Sequence, residues 1–198
     1  MQNLKINFKE IDKIKKLTDE ERSFRSKNLE LFKTYGFPNK RLEDWKFTDF
    51  KEIINKNFDK IETKKISFDF KKINFIKDFE HNYILLVNGS LNSSNFQFEE
   101  KKKIKINSYN SIDDYKFSTN PLVSLNHALA ETGYSLEIDK NYKFKKTLVI
   151  YNLFTKSIKN KILNNKNKII LNENSELHIL DYTINESKFI NNVYENVI

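Results

Sequence analysis

With 198 residues, 38% of them hydrophobic, the chain has enough apolar material for one core or two small ones, and its 17 Phe and 9 Tyr supply bulky side chains for it. The absence of cysteine excludes disulfides, a catalytic thiol and any thiolate ligand from this chain. No apolar run approaches the roughly 20 residues of a membrane helix, and the opening Met1 to Glu10 alternates charge with apolar residues, which argues for a cytoplasmic, unexported protein.

The net charge of +8 invites a polyanion, with Lys101-Lys102-Lys103-Ile104-Lys105 as the densest basic run. Yet 32 Lys stand against 3 Arg, beside 27 Asn, 23 Ile and 2 Ala, the bias of an A/T-rich coding sequence. Arg22, Arg25 and Arg41 form no motif, and arginine is the residue that clamps phosphate and reads guanine. Composition therefore disfavours a nucleic-acid partner.

In chain order, Thr18 to Tyr35 reads as a helix. Thr18 and Glu21 make a capping box, and Phe24, Leu31, Phe32 and Tyr35 fall on one face. Gly36 can close it with a positive φ, and Pro38 prevents its continuation. Trp45, Phe47 and Phe50 then offer apolar surface among charges, with Trp45 read as a buried anchor. A short helix follows from Thr48 to Ile54, with Thr48 or Asp49 as its cap.

After this the period changes to two. Ile66, Phe68 and Phe70 alternate with polar residues, and Tyr83 to Val87 runs into Asn88-Gly89, a tight-turn dipeptide. One helix interrupts, with Asn120 as cap, Pro121 at its first position, Leu122, Leu125 and Leu129 as its stripe and Gly133 as terminator. Strand-like pieces follow at Tyr134 to Ile138, Thr147 to Leu153, Lys168 to Leu171, Glu176 to Tyr182 and Phe189 to Ile198. Asn-rich bends such as Asn164-Asn165-Lys166-Asn167 stand between them. A parallel β-helix and a β-sandwich both fit this pattern.

Candidate chemistry is sparse. His81, His127 and His178 lie far apart with no metal-ligand spacing, so neither a metal nor a catalytic site is assigned. With three glycines in all, no phosphate-cradling loop can be written. Glu43-Asp44, Glu99-Glu100 and Asp113-Asp114 are adjacent pairs, whose side chains diverge on strand or helix, so they read as solvated surface and not as paired glycosidase carboxylates.

The stretch Gly36-Phe37-Pro38, a basic pair, then Glu43-Asp44-Trp45-Lys46-Phe47-Thr48 resembles the N-terminal signature of the SufD scaffold family of the SUF iron-sulfur cluster assembly system. Leu86-Val87-Asn88-Gly89 and Leu125 to Gly133 agree with it in order. The resemblance implies an N-terminal helical region over residues 1–80 and the start of a right-handed parallel β-helix over 81–198, with one inserted helix near 121–132. It implies a non-enzymatic scaffold that works with SufB and SufC and binds no cofactor in this segment. The signature residues Gly36, Pro38, Glu43, Asp44, Trp45, Lys46 and Thr48 take a structural or docking role, and no cluster ligand is assigned to His178. Members of that family are longer chains, so a truncated chain lacking a capping helix is expected. The alternative is a basic β-rich module that binds nucleic acid or an acidic polymer.

Overall fold

The computed structural model describes residues 4, 6–58, 60–62, 75–109 and 117–198. Helix α1 spans Lys9–Asp12, and α2 spans Asp19–Tyr35 behind the expected capping box, in which Thr18 and Glu21 satisfy each other's backbone N–H groups. The buried face of α2 is the expected one in part. Phe24 and Phe32 are buried as expected, joined by Leu29, Arg25 and Asn28, whereas Leu31 is half-buried and Tyr35 is 57% exposed. Polar groups can occupy that face because each has a bond there: Asn28 Nδ2 donates to the Phe24 carbonyl at 3.0 Å, and Arg25 Nη1 to the Ala128 carbonyl at 3.1 Å. Helix α3, Phe50–Asn57, is capped by Asp49, which accepts from the Glu52 N–H at 2.9 Å.

The strands are β1 (Lys60–Glu62), β2 (Asn82–Val87), β3 (Ser90–Asn95) and β4 (Ile104–Ser108), then α4 (Pro121–Leu129). After α4 come β5 (Tyr134–Ile138), β6 (Leu148–Phe154), β7 (Lys161–Leu171), β8 (Ile179–Asn185) and β9 (Ile190–Val197). The alternation at Ile66, Phe68 and Phe70 lies outside the described residues. The turn between β2 and β3 is the expected one, Asn88 and Gly89 having φ of 48° and 79° as a primed hairpin turn demands.

The chain is a mixed helix and sheet protein. One sheet has the order β3-β2-β6-β8, parallel across β2, β6 and β8. In the other, β7 pairs in parallel with β1 at its start, β5 at its end and β9 along its other side, and β4 closes the edge against β5. Successive strands β6, β7, β8 and β9 thus alternate between the sheets. Ile84, Leu86, Leu136, Ile138, Leu148, Ile150 and Ile169 fill the space between them. A second core, with Leu29, Phe32, Phe37, Ile54, Leu125, Leu129 and Ile162, joins the helices to the β7 sheet.

Two expectations are corrected. Asn164 to Asn167 is no bend but the middle of β7, which begins at Lys161, and its four residues are between 2% and 9% exposed. The corners are made by Asn141, Asn160 and Asn174, with φ of 59°, 57° and 56°. Gly133 does not terminate α4, which ends at Leu129. It opens β5 at φ 133°, where an added Cβ would stand 1.9 Å from the Lys166 carbonyl oxygen.

Both corrections meet at one place. β1 covers β7 at residues 161–163 and β5 at 168–171, leaving the backbone between without a full strand on that side. A buried backbone group needs a partner. Thr132 supplies a bridge, its carbonyl accepting from the Lys166 N–H at 2.9 Å. From α4, Asn126 Nδ2 donates to the Asn165 and Asn192 carbonyls at 2.8 Å each, clasping β7 and β9 together. Asn192 Nδ2 in turn donates to Asn164 Oδ1 and to the Leu122 carbonyl, both at 2.9 Å.

Replacing Asn126 with Ala removes two buried bonds to carbonyls that the β7–β9 ladder also engages, each bond being worth about 0.5–1.5 kcal/mol. Urea denaturation of Asn126→Ala is expected to show a loss of about 1–3 kcal/mol.

Candidate functional site

The signature segment is built as a short clamp between α2 and α3. Its first element is the end of α2, where the Gly36 N–H donates to the Phe32 carbonyl at 2.6 Å. Gly36 has φ 69° and ψ −168°, a region of the map that only glycine enters at low cost. Pro38 follows, buried, and its carbonyl accepts from the Lys51 N–H at 2.9 Å, tying the turn to the first turn of α3. Phe37 between them is 8% exposed and packs edge-on against Phe32 at 5.0 Å and Phe50 at 6.0 Å. The glycine, the phenylalanine and the proline of this motif therefore each have a separate structural task.

Glu43–Trp45 forms a single 3-10 turn. Trp45 rests its ring on Phe50 at 5.1 Å and is half-buried, so the expected fully buried anchor is instead a shelf at the edge of the core. Glu43 pairs with Lys46 at 2.6 Å, and the side chains of both lie in solvent. Asp44 and Thr48 are exposed, and the α3 cap is Asp49 and not Thr48. Phe47 points outward, 88% exposed, and Leu42 on the same segment is 46% exposed. The structure thus divides the seven signature positions. Gly36 and Pro38 shape the backbone, Trp45 braces it, and Glu43, Asp44, Lys46 and Thr48 face outward around Phe47. Beneath the clamp a cavity of about 210 Å³ is lined mainly by apolar side chains, among them Phe37, Phe50, Leu125 and Ile190.

The histidines do not converge. His81 bonds Tyr151, His127 is buried between Phe24 and Tyr194, and exposed His178 meets Glu176 at 3.1 Å. Among the described residues no group of three His, Cys, Asp or Glu side chains stands close enough to hold a metal. Of the adjacent carboxylates, Glu43 and Asp44 are exposed as expected, and Asp113-Asp114 lies outside the described residues. Glu99 departs from expectation. It is 9% exposed and accepts from Asn82 Nδ2, the Tyr142 hydroxyl and the Lys145 and Lys146 N–H groups, a bracing carboxylate that no spacing announces. In the basic patch, Lys103 and Lys105 lie beside Asp139 and Glu137, which lowers its free charge.

A family model described as the SufBD protein N-terminal region matches residues 9–150, the span from α1 into β6. This chain belongs to that family. Comparison with curated proteins finds no match. Membership in the SufBD family places the chain in iron-sulfur cluster assembly scaffolding, where surfaces for protein partners are the expected working parts. Among the described residues no helix is long and apolar enough to cross a membrane.

Beyond the clamp, Glu195 of β9 and Asp181 of β8 form a second polar feature. Loss of water, then the Asp181 charge, push the Glu195 carboxyl above its usual range, and the Tyr134 hydroxyl donates to it at 3.5 Å. A carboxyl whose pKa is higher folded than unfolded binds more protons in the folded state, so its contribution to stability grows as pH falls through that window. The Asp181→Asn variant removes one cause of the shift. It is expected to gain stability over the parent at neutral pH and to lose that advantage in acid, read by urea unfolding at both.

The clamp yields a separate expectation. Trp45→Ala removes one ring pair and half the burial of an indole, an expected cost of about 1–3 kcal/mol in urea denaturation. Phe47→Ala is expected to stay within about 0.5 kcal/mol, as at other exposed positions.

Proposed function

We propose that this chain is a SufD-type, non-catalytic scaffold segment that works with SufB and SufC homologues in iron-sulfur cluster assembly. The observation that carries the reading is the signature clamp. Gly36, Phe37, Pro38 and Trp45 are committed to holding a packed turn, while Glu43, Asp44, Lys46 and Thr48 stand outside it with Phe47 88% exposed. A motif whose outward half makes little internal structure is arranged for contact with another surface. A chain without cysteine supplies no thiolate to a cluster, which fits a scaffold whose partner carries the ligands.

The same reading takes the alternation of β6, β7, β8 and β9 between two sheets, each stacking in parallel on its predecessor but one, as opening turns of a right-handed parallel β-helix. It assigns a cytoplasmic location and no resident cofactor to the segment.

Co-expression with the SufB and SufC homologues of the same genome tests the proposal. The tagged chain is expected to retain SufB through affinity and size-exclusion steps, and Phe47→Asp with Leu42→Asp is expected to weaken that retention without lowering folded yield. A chain that retains neither partner overturns the SufD reading. Retention unaffected by the double variant overturns the role of the signature alone.

A further inference from the structure

On the sheet that carries β2, β6 and β8, the face turned away from the main core is covered by Phe75, Ile76 and the chain leading to His81. Tyr151 lies beneath this cover with no exposed surface. Its hydroxyl oxygen accepts from the Ile76 N–H at 3.0 Å and stands 2.8 Å from His81 Nε2. The direction of that second bond is decided by the other ring nitrogen. His81 Nδ1 lies 2.9 Å from the Phe79 carbonyl, which only accepts, so in the neutral imidazole Nδ1 carries the hydrogen and Nε2 presents its lone pair. The Tyr151 O–H therefore donates to His81.

Around this pair the side chains are aromatic. Phe75 meets the Tyr151 ring edge-on at 5.0 Å, and Tyr83 approaches it at 6.3 Å. Tyr182, from the next strand of the same sheet, meets it at 5.6 Å and is itself 41% exposed. A buried phenol in ring contact with an exposed one, holding its proton against a fixed imidazole acceptor, is the arrangement that proton-coupled oxidation of tyrosine requires.

We propose that Tyr151 is a redox-active tyrosine, oxidised by one electron through Tyr182, with His81 as the acceptor of its proton. The oxidant is of the oxygen-derived radical class. It takes one electron from the Tyr151 ring by way of the contact with Tyr182. As the electron leaves, the Tyr151 O–H bond breaks and its proton forms a bond to His81 Nε2, so that a neutral tyrosyl radical and an imidazolium remain. A thiolate returns the electron and becomes a thiyl radical, and the proton moves back from His81 Nε2 to the Tyr151 oxygen.

Concerted transfer is favoured because the stepwise intermediates are charged where charge is costly. Burial holds the Tyr151 hydroxyl above its usual range, which disfavours a phenolate, and a phenol cation radical that kept its proton would place a full charge on a side chain with no exposed surface. Tyr182, 41% exposed and with no hydrogen-bond acceptor for its hydroxyl among the described residues, passes the hole inward and does not keep it. The inference does not rest on the scaffold reading, because it uses only this face of the sheet.

Flash oxidation of the 198-residue chain with a photo-oxidised ruthenium tris-bipyridine complex tests it, with tyrosyl absorption and electron spin resonance as readouts. The expected parent signal has a short-lived component from exposed tyrosines and a long-lived one from Tyr151. Tyr151→Phe is expected to remove the long-lived component and His81→Gln to shorten it. In heavy water the parent is expected to form it more slowly. That last measurement needs no variant, and it distinguishes proton transfer from simple burial. A long-lived radical that persists in Tyr151→Phe overturns the proposal. Formation unaltered in heavy water, together with an unchanged lifetime in His81→Gln, overturns it equally.

Discussion

The seat of helix α4 on the sheet, an apolar core shared with β7 to which Asn126 and Asn192 add hydrogen bonds, is the constraint on which the helices depend. Parallel strands stacked two deep satisfy each other's backbone only where a neighbour runs alongside, and β7 has a stretch where β1 has ended and β5 has not begun. Leaving that backbone unbonded inside a core is costly. Thr132 answers the need, accepting from the Lys166 N–H at 2.9 Å, while Asn126 donates to one carbonyl each of β7 and β9 and so ties its helix to the sheet. Helix α2 then has a floor to pack on, with Arg25 reaching the Ala128 carbonyl at the end of the same helix.

The signature clamp depends on this placement. Phe37 and Phe50 share a core with Leu125 of α4 and Ile162 of β7, so the turn at Gly36 to Pro38 is packed against α4. What the clamp presents outward is set by that packing. An exposed Phe47 on a fixed turn loses little conformational entropy on binding, whereas the same ring on a loose loop loses more. This is the physical ground for reading the outward half of the signature as a contact surface in a SufBD-family scaffold.

The close approach of Gly133 to Lys166, and of Gly89 to Asn165, shows how scarce glycine is used here. Added Cβ atoms at the two positions would stand 1.9 Å from the Lys166 carbonyl oxygen and from Asn165 Oδ1. Two of the three glycines thus border the same strand segment that Asn126 clasps, and asparagine takes over the ordinary corners.

The sequence by itself determined what local chemistry decides. The capping box of α2, the N-cap and proline of α4, the positive φ at Gly36 and the hairpin turn at Asn88-Gly89 depend on residues within a few positions of one another, and each was legible. The family signature was legible too, because its scarce residues are contiguous. Only the tertiary structure decided where Asn164 to Asn167 would go. Asparagine suits a turn and an amide ladder alike, and the choice rests on Asn126 and Asn192, which lie 39 residues from Asn165 and 28 from Asn164 and leave no local trace. Glu99, read as surface, and Trp45, read as core, were misjudged for the same reason. Burial of one side chain is a property of everything packed around it, and the partners that buried Glu99 and uncovered Trp45 come from distant parts of the chain or from the edge at which the core stops.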